Sequence, residues 1–188
     1  MSRYTRATAS AAETSQHTLD ETERVVAERL EGLPIDMSAM AAVSNVYRAA
    51  GAVRNYFERT VLRSFDLTWT AWVVLWVVWI WGEIESRHVA IEVGVSKGTL
   101  TGVVRTLESR ELLRRRTHSD DARRVLIELT DKGREVMERL FPEFNKAEQY
   151  VTSVLDDDEK IVLAQALRKM VVHLEHSTPA SSQLRPAG

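Results

Sequence analysis

The side chains of this 188-residue chain most suited to chemistry are cations and hydroxyls gathered between Lys97 and Arg124. That stretch holds eight Lys or Arg against four Asp or Glu, while the whole chain carries a net charge of −2. A basic face on an acidic body suits a protein that meets phosphate with one surface and leaves the rest unattached. Within "GVSKGTLTGVVRTLESR", Leu100, Val103, Val104 and Leu107 form one apolar arc of a helix. The opposite side carries Gly98, Gly102, Arg105 and Ser109, flanked by Thr101. Glycines there let a backbone approach a groove, and Thr and Arg reach base edges or phosphates. The first turn, Ser96, Lys97, Gly98 and Thr99 with Thr101 just beyond, is where a recognition helix usually reads DNA.

Other chemistries find less support. The chain has no cysteine, which removes a disulfide scaffold, a thiolate nucleophile and a cysteine redox switch. No Ser-His-Asp order, glycine-rich phosphate loop or carboxylate pair stands out, so an enzyme is not expected. His173 and His176 sit one turn apart without further ligands at metal spacing, and read as cations at a helix end. Neither a metal nor a cofactor is expected. The N-terminus, "MSRYTRATASAAETSQ", lacks the apolar segment of a secretory signal, and a cytoplasmic location is expected.

These residues need a frame, and the chain supplies a helical one. Residues 1–17 are small and polar and are expected to form a disordered tail. Leu19, Val26, Leu30 and Leu33 recur at heptad-like spacing, predicting a short amphipathic helix within 18–34 that Pro34 ends. Val43, Val46, Ala50, Val53 and Phe57 continue a longer helix within 35–66. A pair of short helices follows, one from about Ser86 to Val93 stopped by Gly94, the next N-capped by Ser96. The period then changes to two in "VLIELT", with Leu113 to His118 able to pair across the turn "HSDDA". Thr130 caps a long helix running to about Val154, in which Pro142 should produce a kink. Asp156 and Glu159 have capping-box spacing before a final helix, and 177–188 are expected to fray.

The middle of the chain is unusual. All five tryptophans lie between Trp69 and Trp81. Ala71 to Trp81 is an unbroken apolar run of eleven, well short of the roughly 20 that a membrane span needs. Arg63, Asp66, Glu83 and Glu85 close it on both sides, so no membrane is expected. Trp69, Trp72, Trp76 and Trp79 share one arc, and Val74, Val78 and Trp81 cover the far side. A helix apolar all round is expected to be buried by several neighbours.

Two short helices, the second entered through "GVS", followed by a basic hairpin, spell a winged helix-turn-helix. The chain resembles the multiple-antibiotic-resistance regulator family, MarR. The residues that carry the resemblance are "GVSKGTLTGVVRTLESRELLRRR", Asp121 to Arg124, and "VLIELTDKG", and it extends over about residues 36–176. It implies a mainly α fold with a small β-hairpin wing (α+β), made of a winged helix-turn-helix module at 67–129 and dimerisation helices at 35–66 and 130–176. It also implies a homodimer that binds double-stranded DNA at a palindromic operator, as a regulator that is usually a ligand-responsive repressor. An Asp-x-Arg motif at the wing tip falls on Asp121 and Arg123, where an aspartate steadies a guanidinium for the minor groove. Arg114, Arg115, Arg116 and Arg124 are expected to serve mainly phosphates. One departure is Glu111, where relatives usually place a glycine to end the recognition helix.

The resemblance also gives the tryptophans a second role. Small aromatic or phenolic effectors bind in such proteins between the dimerisation helices and the winged module. Trp69 and Trp72 are then candidate pocket walls, and Tyr47 and Arg54 candidate donors to a carboxylate. A core role and a pocket role both remain open for these four. The rival to a DNA regulator is a helical module that binds a partner protein and has lost its DNA.

Overall fold

The computed structural model describes residues 17–117, 121 and 124–177. The tails expected to be disordered or frayed, 1–17 and 177–188, lie outside these residues except for His17 and Ser177, as do His118 and Arg123 of the expected wing. The chain divides into two compact units, residues 1–50 and 51–188.

The first unit contains helix α1, Leu19–Arg29, and the beginning of α2, Met37–Thr60. Thr18 and Glu21 form a reciprocal capping box at the start of α1. The helix ends at Arg29, so Leu33 falls beyond it, in the turn before Pro34. Glu23 ties α1 to α2 through Arg48 at 3.6 Å and Asn45 at 3.4 Å. No residue of α1 is buried, and Val43 and Val46 on α2 are exposed.

The second unit begins with the rest of α2, which stops at Thr60. A short 3-10 turn, Leu62–Phe65, takes over and ends at Asp66 in the left-handed region, φ 52°. Then come α3 (Trp69–Trp81), β1 (Ile84–Glu85), α4 (Ser86–Val93), α5 (Lys97–Ser109), β2 (Leu113–Thr117), β3 (Val125–Leu129), α6 (Asp131–Val151) and α7 (Asp157–His176). The expected hairpin therefore supplies two strands of a three-stranded antiparallel sheet in the order β1-β3-β2. Ile84 pairs with Ile127 and Glu85 with Leu126. α6 ends at Val151, short of Val154, and passes through Pro142.

The core of this unit gathers Leu62, Val74, Leu75, Val89, Leu107, Ile127, Met137 and Leu140, all fully buried. The tryptophans close against α6. Trp72 stacks on Phe144 with ring centroids 4.3 Å apart, and Trp76 stacks on Phe141 at 5.1 Å. Phe144 also meets Phe57 of α2 at 4.3 Å, so one ring joins three helices. The expectation of a helix buried all round fails at its C-terminal end, where Ile80 and Trp81 are exposed, Trp81 at 66%. The chain turns there through Gly82 into β1, and no described element covers that last turn. Among the described residues no helix is long and apolar enough to cross a membrane.

Candidate nucleic-acid interface

Local chemistry fixes the two helices of the turn. α4 ends because Gly94 takes a left-handed conformation, φ 70°, that a side chain would resist. Ser96 then starts α5, its Oγ accepting from the Thr99 amide at 3.1 Å. Leu100, Val104 and Leu107 turn into the core. Ser96, Lys97, Gly98, Thr99, Thr101, Gly102 and Arg105 are all exposed, as the sequence places them.

The exposed face of α5 is bare in a specific way. A methyl group added at Gly102 would meet nothing within 4 Å, and one at Gly98 only the Ser96 hydroxyl at 3.8 Å. Neither glycine has a positive φ, so nothing among the described residues requires glycine at either position. Each costs helix stability of roughly 0.8–1.0 kcal/mol relative to alanine. Their benefit is on the outside, where the backbone can come close to another molecule. Thr101 donates its hydroxyl to the Lys97 carbonyl at 2.8 Å, and its oxygen remains able to accept. Among the described residues, no ion pair engages Lys97 or Arg105.

The wing arginines differ. Arg114 meets Glu128 across the β2–β3 ladder at 2.8 Å. Arg116 pairs with Glu83 and lies 3.8 Å from Glu128. Arg115 points to the other face of the sheet and pairs with Glu108 of α5 at 2.5 Å. Arg124 donates from Nε to Glu85 at 2.7 Å. Glu83, Glu85 and Glu128 lie outside the stretch whose charges the sequence counts as basic, so part of that excess is met within the protein. The Arg124 amide donates to the Asp121 carbonyl at 3.0 Å, and the Asp121 side chain is exposed.

Two further residues were not legible as part of this site. Arg110, at the C-cap of α5, reaches back to the carbonyls of Phe65, at 2.8 Å, and Asp66. It fixes the end of the recognition helix to the turn before α3. Glu85 is buried to 7% exposure at the N-cap of α4. It makes no capping bond, and its carboxyl is held below the usual glutamate range by the Arg124 hydrogen bond against the opposing effect of burial. Glu111 does adopt the left-handed conformation that the resemblance gives to glycine, φ 60°. Its carboxylate meets Lys132 at 3.0 Å.

Three of the four candidate effector residues, Arg54, Trp69 and Trp72, lie in the second unit. Trp72 is buried against Phe144 and Trp76. Trp69 is half-buried, and its amide is held by Glu58 at 3.1 Å. Glu58 also takes Arg54, at 3.4 Å. Tyr47, in the first unit, is 77% exposed. A cleft of about 360 Å³ does open where Asp66, Thr68 and Ala71 face Thr99, Val103 and Thr106 of α5. Among the described residues no cluster of His, Asp or Glu is arranged to hold a metal ion.

A capped recognition helix with an open face, preceded by a short positioning helix and followed by a β-hairpin wing, defines a winged helix-turn-helix regulator of transcription that binds DNA. A family model described as the MarR family matches residues 67–125. The chain is 34% identical over 153 residues to the uncharacterised HTH-type transcriptional regulator YwaE of Bacillus subtilis, covering 80% of this chain and 89% of that protein. The chain belongs to the MarR family. Among solved structures it is similar to BpsR of Bordetella bronchiseptica, whose DNA binding is regulated by 6-hydroxynicotinic acid. That similarity has a TM-score of 0.65 and 27% identity, over 70% of this chain and 98% of that one. PcaV of Streptomyces coelicolor, solved with its natural ligand, has a TM-score of 0.63 and 27% identity, over 73% and 95% of the two chains.

Proposed function

We propose that this regulator works as a homodimeric repressor in the cytoplasm, which holds a palindromic operator and releases it on binding a small aromatic acid. The observation that carries DNA reading is the α5 surface: Ser96 to Arg105 presents two glycines, two threonines and two cations that no ion pair engages among the described residues. Arg123, with Asp121, is assigned to the minor groove, and Arg114, Arg115, Arg116 and Arg124 to phosphates. The carboxylates beside the last four restrain their approach and are displaced or shared when phosphate arrives.

Support for the dimer comes from α7. Its twenty residues bury nothing, while Leu163, Leu167, Met170, Val171 and Leu174 stand exposed along one side. A contiguous apolar helix face of that kind marks an interface, and a second copy provides the two-fold symmetry that a palindrome mirrors. Sedimentation velocity at micromolar protein tests this; a single species of monomer mass contradicts it.

For the effector, BpsR and PcaV lend the precedent of a regulator that takes a small ligand. Trp72 is closed off by Phe144, so Arg54 and the open edge of Trp69 carry the assignment in the second unit. The effector acts by favouring a dimer whose recognition helices no longer match major grooves about 34 Å apart. Adding hydroxylated aromatic carboxylates to the DNA complex and following fluorescence anisotropy tests the claim. Release by wild type but not by Arg54→Ala supports it, and the same release from both contradicts the assignment of Arg54.

A further inference from the structure

The α4 N-cap is a glutamate that does not cap. Each oxygen of the Glu85 carboxylate takes a different arginine: Oε1 accepts from Arg124, just before β3 of the wing, and Oε2 meets Nε of Arg87, on the first turn of α4, at 2.8 Å. Both arginines extend away from this buried anchor, Arg87 with 70% of its side chain exposed and Arg124 with 41%. Without an acid between them, two guanidinium groups so near each other would repel and separate. The first helix of a helix-turn-helix crosses the sugar–phosphate backbone, and the wing reaches the backbone beside it.

We propose that Glu85 is a positioning residue for DNA binding, a buried clip that sets Arg87 of α4 and Arg124 of the wing side by side as one phosphate-binding unit. The inference rests on the winged module binding DNA, and it adds Arg87 to the DNA-facing set, where no motif had placed it. The arginine fork donates through several N–H groups, so Arg87 can hold Glu85 through Nε and offer its outer nitrogens to phosphate. Glu85 itself never touches DNA.

The clip and simple electrostatics predict opposite signs for one substitution. Glu85→Gln removes a negative charge from a DNA-binding surface, and long-range attraction alone would tighten binding. With the clip, the two arginines lose their common anchor, and binding weakens by about tenfold on operator and scrambled duplex alike, because phosphate contacts carry no sequence.

The test is an anisotropy titration with a labelled operator duplex, selected by the protein from random sequence, and with a scrambled duplex of equal length. Wild type, Glu85→Gln, Arg87→Ala, and Arg87→Ala/Arg124→Ala with and without Glu85→Gln are compared, each first checked by thermal unfolding. The expected results are weaker binding by Glu85→Gln, and no further loss when it is added to the double arginine variant. Equal or tighter binding by Glu85→Gln, or the same loss in both backgrounds, overturns the clip. Should Glu85→Gln fail to fold, Arg87→Ala decides the matter at an exposed site. It must weaken scrambled-duplex binding and lower the salt slope by about one, and unchanged binding overturns the proposal. Wild type that binds neither duplex would instead refute the DNA reading, an outcome distinct from failure of the clip.

Discussion

Gly133, in the first turn of α6, sits so close to the Leu112 carbonyl that a methyl group there would lie 2.0 Å from its oxygen. That oxygen also accepts from the Thr130 amide at 3.2 Å. The start of α6 is therefore seated on the segment joining the recognition helix to the wing, and only a residue without Cβ permits it. Gly133→Ala must push backbone apart, a cost of about 1–3 kcal/mol or more. Thermal unfolding checks this, and a variant as stable as wild type would mean that the close approach is absent.

Glu111→Gly should act in the opposite direction. A glutamate at φ 60° carries left-handed strain of about 1–2 kcal/mol, whereas its exposed pair with Lys132 is worth at most about 1 kcal/mol. The expected net effect is stabilisation of roughly 0.5–1 kcal/mol, read from urea unfolding. A destabilised variant would show that the Lys132 pair outweighs the strain.

Acid should weaken the Glu85 anchor in a definite direction. Its carboxyl is lowered chiefly by the Arg124 hydrogen bond, so the folded state favours the carboxylate. The resulting stability is fully present above the unfolded value of about 4.3 and is lost as pH falls through the lowered folded value. The stability gap between wild type and Glu85→Gln is then constant from pH 7 to 5 and shrinks in stronger acid. Urea unfolding across that range checks it; a gap that widens in acid reverses the sign.

The glycines of α5 separate binding from stability. Gly98→Ala and Gly102→Ala meet open space, so each should raise stability by about 0.5–1 kcal/mol. Both should weaken operator binding, because the added methyl stands where the groove approaches. Unfolding and anisotropy measured on the same samples distinguish this from a general loss of fold. A stabilised variant with unchanged affinity would show that α5 does not approach DNA closely at these positions.

Much of this was legible from short-range pattern. α4 falls at the predicted Ser86–Val93, Ser96 caps α5, and Asp156 and Glu159 form the predicted capping box. These signals act within a few residues. β1 was missed because two residues, Ile84 and Glu85, are too short to show a period of two. The ion pairs of the wing were missed for another reason: Arg124 and Glu85 are 39 residues apart, and Arg116 and Glu83 are 33 apart. Nothing in either local sequence announces the other. Trp81 read as core because apolar type shows only what a residue tolerates, and burial depends on whether another element arrives to cover it. Glu111 shows a motif position keeping its backbone conformation after losing its usual residue, since φ is imposed by the turn and its cost is small enough to bear.

The most direct test of the account is a titration of the dimer-range protein against its selected operator and a scrambled duplex, at salt from 50 to 200 mM, by fluorescence anisotropy. If α5 reads DNA, operator binding is tighter than scrambled by about a thousandfold or more. Log affinity also falls linearly with log salt at about 0.9 per phosphate neutralised, and Lys97→Ala and Arg105→Ala each lower that slope by about one. Equal affinity for both duplexes, or a slope that neither substitution changes, would contradict the claim that α5 reads DNA.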